Sequence, residues 1–211
     1  MEHTKTKQSV AIVCGGEISD FAWFKNQMQN YDYIIAADSG YDKLADCGIT
    51  PNIAIGDFDS ITYEIPQTIE RYTFPSKKDK TDFMLALEFC AKNEIFNVDV
   101  FGALGGRIDH SLGAIFAILE IKSQNVNATL ITEKTKVFIA SDNCKIAKKQ
   151  GYVSLFALGA DAIGVTLCGF EYPLINATLK CCTQIGVSNK IIDDIGEISV
   201  KKGNLLVIIQ N

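Results

Sequence analysis

The chain has 211 residues, 47% of them hydrophobic and 21% charged, with a formal net charge of −5 at neutral pH. That size and composition fit one large globular domain or two small ones, and a sequence pI of about 5.1 argues against a protein that grips the phosphate backbone of nucleic acids. Only two histidines occur, His3 and His110, which argues against a His-rich zinc site or a Ser-His-Asp hydrolase.

The opening residues Met1 to Gln8 are polar rather than a charged-then-apolar leader, and no apolar run is long enough for a bilayer. Seven cysteines, none in a Cys-x-x-Cys, sit mostly inside apolar runs, so reduced, buried thiols and a cytoplasmic location are expected, with no membrane partner. The first strand is expected at Val10 to Cys14, ending in Gly15-Gly16. A helix follows from Asp20 to Gln29, with the lone Trp23 packed in or beside it. Tyr33 to Ala37 reads as a second strand, ending at Asp38-Ser39-Gly40, and Tyr41 to Cys47 as a short helix closed by Gly48. Ile53 to Ile55 is the third strand and Arg71 to Phe74 the fourth.

A charged loop, Ser76 to Asp82, then leads into a helix from Phe83 to Asn93, with Asp79 and Thr81 as candidate caps and Lys77 and Lys78 solvated. The fifth strand, Val98 to Phe101, runs into a loop from Gly102 to His110. Leu112, Ile115, Phe116 and Leu119, at i, i+3, i+4 and i+7, mark the next helix, and Ala128 to Ile131 the sixth strand. Strands alternating with helices predict a mostly parallel α/β sheet covered on both faces. After about Thr132 the pattern changes. Short β-rich runs (135–140, 152–157, 164–167, 179–183, 197–201 and 205–209) predict a second, all-β domain, a sandwich or partial barrel, over 135–211.

In an open parallel sheet the loops after the strands emerge at one edge, where ligands bind. Here those loops carry Gly15-Gly16, Asp38-Ser39-Gly40, Asp57 with Asp59, Asp79 to Asp82, and Gly102 to His110. Asp57 and Asp59, two apart in an extended segment, can face one ligand, and a hard cation such as Mg²⁺ would offset their repulsion. Glycines admit phosphate close to the backbone, Arg107 can pair it through a planar fork, and Lys80 can act as a point charge. These are parts of a phosphoryl-type transfer.

Each residue has a plainer reading beside the functional one. Asp59 can cap a following helix, Asp109 can cap the helix starting near His110, and Thr81 can cap the one starting at Asp82. His110 can simply bond a neighbouring carbonyl, and Gly102, Gly105 and Gly106 can serve turn geometry. The Asp-x-Asp also suits a metal-dependent nucleotide-sugar transferase; it fits an aspartyl-phosphate phosphatase less well, because that nucleophile usually follows the first strand and this motif follows the third. A non-catalytic nucleotide or vitamin sensor is a further alternative.

Taken in order, Asp38-Ser39-Gly40, Gly56-Asp57-Phe58-Asp59-Ser60, Lys80-Thr81-Asp82 and Gly105-Gly106-Arg107-Ile108-Asp109-His110 resemble the thiamine pyrophosphokinase family. Gly169 to Leu174, Gly186-Val187-Ser188-Asn189 and Gly203 to Ile208 resemble its C-terminal segments. The resemblance implies a Rossmann-like α/β catalytic domain (1–134) that binds ATP and Mg²⁺. It also implies a β-sandwich domain (135–211) for thiamine binding and dimerisation, and a homodimer with active sites at the subunit interface. The implied reaction moves pyrophosphate from ATP to thiamine and releases AMP. Asp57, Asp59 and Asp82 match the family's metal-binding carboxylates, and with Arg107 and Asp109 they form the implied catalytic set. Gly15, Gly16, Asp38, Ser39, Gly40, Lys80, Thr81, Gly105, Gly106, Arg107 and His110 fall on the nucleotide side. Asp59, Ser188 and Asn189 fall on the thiamine side. Some members stack a tryptophan on thiamine from the second domain; this chain has none there, and Tyr172 is the candidate.

Overall fold

Four consecutive buried residues make up β1 (Val10–Val13), the pattern of a strand covered on both faces. The computed structural model describes residues 8–74, 79–148 and 151–211; His3, Lys77 and Lys78 lie outside these. The chain divides into two compact units, Met1–Glu133 and Lys134–Asn211.

In the first unit β1 is followed by α1 (Phe21–Met28), β2 (Tyr33–Ala37), α2 (Gly40–Asp46), β3 (Ile53–Gly56), β4 (Glu70–Thr73), α3 (Asp82–Lys92), β5 (Asn97–Phe101), α4 (Ile108–Ile121) and β6 (Asn127–Ile131). The strands pair in parallel in the order β6-β5-β1-β2-β3-β4. Strand order therefore reverses between β1 and β5, which opens a crevice at their carboxyl ends.

Strand alternation sends Ala11, Val13, Ile34, Ala36 and Ala54 to one face, where Phe24 and Met28 of α1 and Tyr41 and Leu44 of α2 join them in one core. The alternate residues Ile12, Ile35, Ile53, Ile55 and Val100 are buried as well. Helix α3 packs on β2 and β3, and α4 on β6 and α3. Trp23, at the rim of the first core, tilts against Phe101 with ring centroids 5.9 Å apart.

Local signals explain the helix ends. Asp20 caps α1 by accepting from the Trp23 amide at 2.8 Å. Gly48, with φ of +67°, ends the turn after α2 while the Ile49 amide reaches back to Leu44 O at 2.9 Å. Thr81 caps α3 through the Met84 amide at 3.2 Å. No cap forms through Asp109: α4 starts at Ile108, its N-cap position is Arg107, and Asp109 lies in its first turn.

The buried face of helix α4 is not the apolar stripe that marks the helix in the sequence. Ala114, Ala117, Ile118 and Ile121 are buried, whereas Leu112 and Phe116 of that stripe are about half exposed. Two competing stripes share the i, i+3, i+4, i+7 spacing. The one bearing alanines turns inward because small residues let the helix come close to what it packs on.

The second unit holds two antiparallel four-stranded groups. One runs β12-β9-β14-β7 and comprises Gly186–Asn189, Tyr152–Ala157, Leu205–Gln210 and Thr135–Ala140. The other runs β11-β10-β13-β8 and comprises Leu174–Leu179, Ala162–Cys168, Ile195–Ser199 and Cys144–Ala147. Val153, Leu155 and Val207 of the first group share a core with Val165, Leu167 and Ile198 of the second. The strand expected at 179–183 instead ends at Leu179. The thiols also divide: Cys14, Cys47 and Cys90 are buried, but Cys168, the outward last residue of its strand, and Cys182, in the turn after Leu179, are exposed.

Candidate active site

The carboxyl ends of β1 and β5 are joined through backbone, and so are those of β2 and β3. The Cys14 amide donates to Phe101 O and the Gly16 amide to Gly102 O, each at 2.8 Å, and the Asp38 amide donates to Ile55 O at 2.8 Å. Side chains would wedge these loops apart. A Cβ on Gly16 would lie 2.3 Å from Gly102 O, and one on Gly40 would lie 1.9 Å from Val13 O. Glycine is needed here for space as much as for turn geometry.

Above this floor lies a cavity of about 660 Å³, within the range of small-molecule sites. Gly15, Gly16, Asp38, Ser39, Thr81, Asp82, Gly105, Gly106, Arg107, Asp109 and His110 all line it. Gly40, Lys80, Asp57 and Asp59 do not. Glu17, Lys43 and Phe83 line it without having been expected there. Phe83 follows directly on the Lys80-Thr81-Asp82 motif, and Glu17 directly on the Gly15-Gly16 pair, so adjacency was the available signal for both. Cys14 also borders the cavity, but burial, aided by the Asp82 charge, pushes its thiol up to about 12, so it is not a nucleophile at neutral pH.

Asp57 and Asp59 do meet, by a different route from strand alternation. Phe58 sits in the left-handed region with φ of +59°, and the Asp59 amide turns back to Asp57 Oδ1 at 3.3 Å. The resulting kink brings the two carboxyls within hydrogen-bonding reach of each other. Asp59 is raised above the usual carboxylate range, first by a side-chain hydrogen bond with Asp57, then by the Asp57 charge and, more weakly, by those of Asp38 and Asp82. Asp38, itself left-handed at φ +47°, accepts from Ser60 Oγ at 3.1 Å through Oδ2, while its buried Oδ1 has no partner. Among the described residues, no three carboxylate, thiol or imidazole side chains are gathered as a ready-made metal ligand set. No helix follows Ser60 directly, so Asp59 is not a cap.

The two expected phosphate-binding cations are engaged with acids. Lys80 forms an ion pair and hydrogen bond with Glu88 of α3, which raises the lysine pKa. Arg107 forks onto Asp109 through Nη2 to Oδ2 at 2.7 Å and Nε to Oδ1 at 3.2 Å. That hydrogen bond, with help from the Arg107 charge and the His110 amide, holds Asp109 below the usual carboxylate range. Both pairs are well exposed at the arginine and lysine ends, so a phosphate can compete for them.

In the second unit, Asn189 is buried and its side chain is committed to backbone: Oδ1 accepts from the Tyr172 and Lys190 amides and Nδ2 donates to Tyr172 O at 2.8 Å. Its expected ligand contact thus becomes a tie that holds Tyr172, a residue that stays 64% exposed. Ser188 lies beside it, left-handed at φ +61°, its amide donating to Ser154 Oγ at 3.1 Å.

Comparison with known proteins decides what these parts belong to. The family model described as "Thiamin pyrophosphokinase, catalytic domain" matches residues 24–130, and "Thiamin pyrophosphokinase, vitamin B1 binding domain" matches 143–205. The chain belongs to the thiamin pyrophosphokinase family. It is 31% identical to a thiamine pyrophosphokinase of Bacillus subtilis, covering 95% of this chain and 98% of that protein. A crystal structure of thiamine pyrophosphokinase from Bacillus subtilis superposes with a TM-score of 0.86 at 29% identity, covering 97% and 99% of the two chains. A thiamin pyrophosphokinase from Candida albicans shares the fold at a TM-score of 0.80 and 16% identity, over 97% and 90% of the two chains. The first family match spans the interlocked strand ends of β2, β3 and β5, and the second contains Tyr172, Ser188 and Asn189.

Proposed function

We infer that this chain transfers the pyrophosphoryl group of ATP to the hydroxyl of thiamine, giving thiamine diphosphate and AMP. The observation that carries the reading is the glycine-floored cavity at the β1/β5 crevice, with the paired carboxylates of Asp57 and Asp59 on the neighbouring strand end. In this reading the first unit is a Rossmann-like catalytic domain with helices on both faces, and the second is a β-sandwich that binds thiamine.

The acidic side chains suit Mg²⁺. They offer only oxygen, Asp57 and Asp59 are close enough to share a proton, and Asp38 Oδ1 is buried without a partner. An open set of one or two carboxylates is how this ion is commonly held, with phosphate oxygens and water completing its shell. Asp57 and Asp59 would hold it, with Asp82 and Asp38 nearby; once bound it would neutralise charge on the transferring phosphates. Gly15, Gly16, Gly105 and Gly106 let the phosphate chain approach backbone amides. Arg107 exchanges Asp109 for phosphate oxygen, and Lys80 adds charge from the rim. Asp38 or the Asp109 so released accepts the proton of the thiamine hydroxyl as it attacks the β-phosphorus in line. Thiamine meets Tyr172 and Ser188, the former held in place by Asn189.

A homodimer with shared sites belongs to the same reading. Tyr172, Ile175, Ile185, Val187 and Ile192 expose apolar area on the second unit that a partner subunit would cover. Seven free cysteines suit a reducing cytoplasm. Among the described residues, no helix is long and apolar enough to cross a membrane. Incubation with ATP, Mg²⁺ and thiamine should yield AMP and thiamine diphosphate in equal amounts. ADP as product would refute the reading, and binding without turnover would indicate a sensor.

A further inference from the structure

The acids that flank Lys43 on α2 both turn away from the cavity. Asp42 accepts from the Thr62 amide at 2.8 Å and from the Tyr63 amide at 3.2 Å, and Asp46 accepts from the Tyr63 hydroxyl at 2.8 Å. Lys43 itself is half-buried, lines the cavity, and has no ion-pair or hydrogen-bond partner among the described residues. Its stem is delivered from a fixed direction, because Tyr41 and Leu44 on the same helix are anchored in the core.

The remaining charges of the cavity make this lysine matter. Glu17, Asp38, Asp82 and Asp109 contribute carboxylates to the wall, and Arg107 is forked onto Asp109. Lys80, the cation its motif would favour, is paired with Glu88 and lies outside the lining. A polyanion entering such a wall is repelled unless an uncommitted cation faces it, and the attraction is stronger in a half-buried cleft than in bulk water. We propose that Lys43 is a phosphate-binding residue of the nucleotide site, its Nζ donating to the phosphate chain of ATP. The inference rests on reading the cavity as the ATP site. The lysine acts as a mobile point charge, a role that does not need a fixed hydrogen-bond fork.

Calorimetric titration of the full-length protein with ATP, adenosine and inorganic tripolyphosphate tests it. Lys43→Ala should weaken ATP and tripolyphosphate about tenfold or more, leave adenosine within about twofold, and lose most of its effect at high salt. Lys43→Arg should recover most of the affinity, and in turnover the alanine variant should raise KM for ATP more than it lowers kcat. Equal weakening of adenosine and ATP would mean a structural role and overturn the assignment. Undiminished ATP binding by Lys43→Ala would overturn the Lys43 assignment alone. A wild-type protein that binds neither ATP nor tripolyphosphate would overturn the cavity reading and this inference together.

Discussion

Replacing Gly40 with alanine adds one carbon where the structure has no room for it. The new Cβ would sit 1.9 Å from Val13 O and 2.5 Å from Val13 C, both backbone atoms of the central strand. Real contacts of this kind essentially never fall under 3.0 Å, so α2 or β1 must retreat by about 1.1 Å, in a core where neither is free to move. Overpacking of this severity costs about 1–3 kcal/mol or somewhat more. The better helix propensity of alanine returns at most about 1 kcal/mol at this first helical position. The same substitution at Gly113, on α4 with nothing within 4 Å of the added carbon, should go the other way and stabilise by up to about 1 kcal/mol. Urea unfolding of both variants checks the pair. Gly40→Ala should lower the midpoint by an amount worth about 1–3 kcal/mol and Gly113→Ala should leave it level or raise it. A Gly40→Ala protein as stable as the wild type would refute the claim that these strand ends interlock.

Asp57→Asn and Asp59→Asn should each remove most activity with little loss of stability, since Asp59 is exposed and Asp57 half-buried in the loop after β3; a fully active Asp59→Asn enzyme at limiting Mg²⁺ would sink their role. Asp59 is raised in the folded state by Asp57, so without metal its contribution to stability is present at acid pH and lost as pH rises through the raised value. Mg²⁺ should therefore raise the melting temperature more at pH 8 than near pH 4, and an equal shift at both would contradict the pairing. Arg107→Lys should keep the charge but lose the planar fork, raising KM for ATP about tenfold; unchanged kinetics would remove Arg107 from the phosphate site. Sedimentation at assay concentration should show a dimer, and an active monomer would rule out composite sites.

The α/β order of the first unit was legible because its signals are local. Asp20, Gly48 and Thr81 announce helix ends through their own chemistry. The inner face of α4 was not, because two apolar stripes share one spacing and the buried one carries the smaller Ala114 and Ala117 rather than Leu112 and Phe116. Strands β8 and β12 were missed because short segments such as Cys144–Ala147 and Gly186–Asn189 carry polar residues or glycine and take their strand character from neighbours. At the site, the glycine loops and the carboxylates could be found from motifs after strands. The kink at Phe58, the diversion of Lys80 to Glu88 and the Arg107–Asp109 fork depend on loop conformation, which no periodicity encodes. Lys43 carries no motif at all and becomes visible only when Asp42 and Asp46 are seen bonding elsewhere.

Trp23 packs against Phe101, whose carbonyl holds the amide of Cys14 at the cavity floor. It is the sole tryptophan in the chain and belongs to the first unit. Its fluorescence is therefore a private reporter on the α/β half, while the β half is spectroscopically silent at that excitation. Followed alongside circular dichroism, which sees the backbone of both, it shows directly whether the two halves melt as one cooperative body or in succession. A quench on adding ATP would register events at the cavity floor without any attached dye.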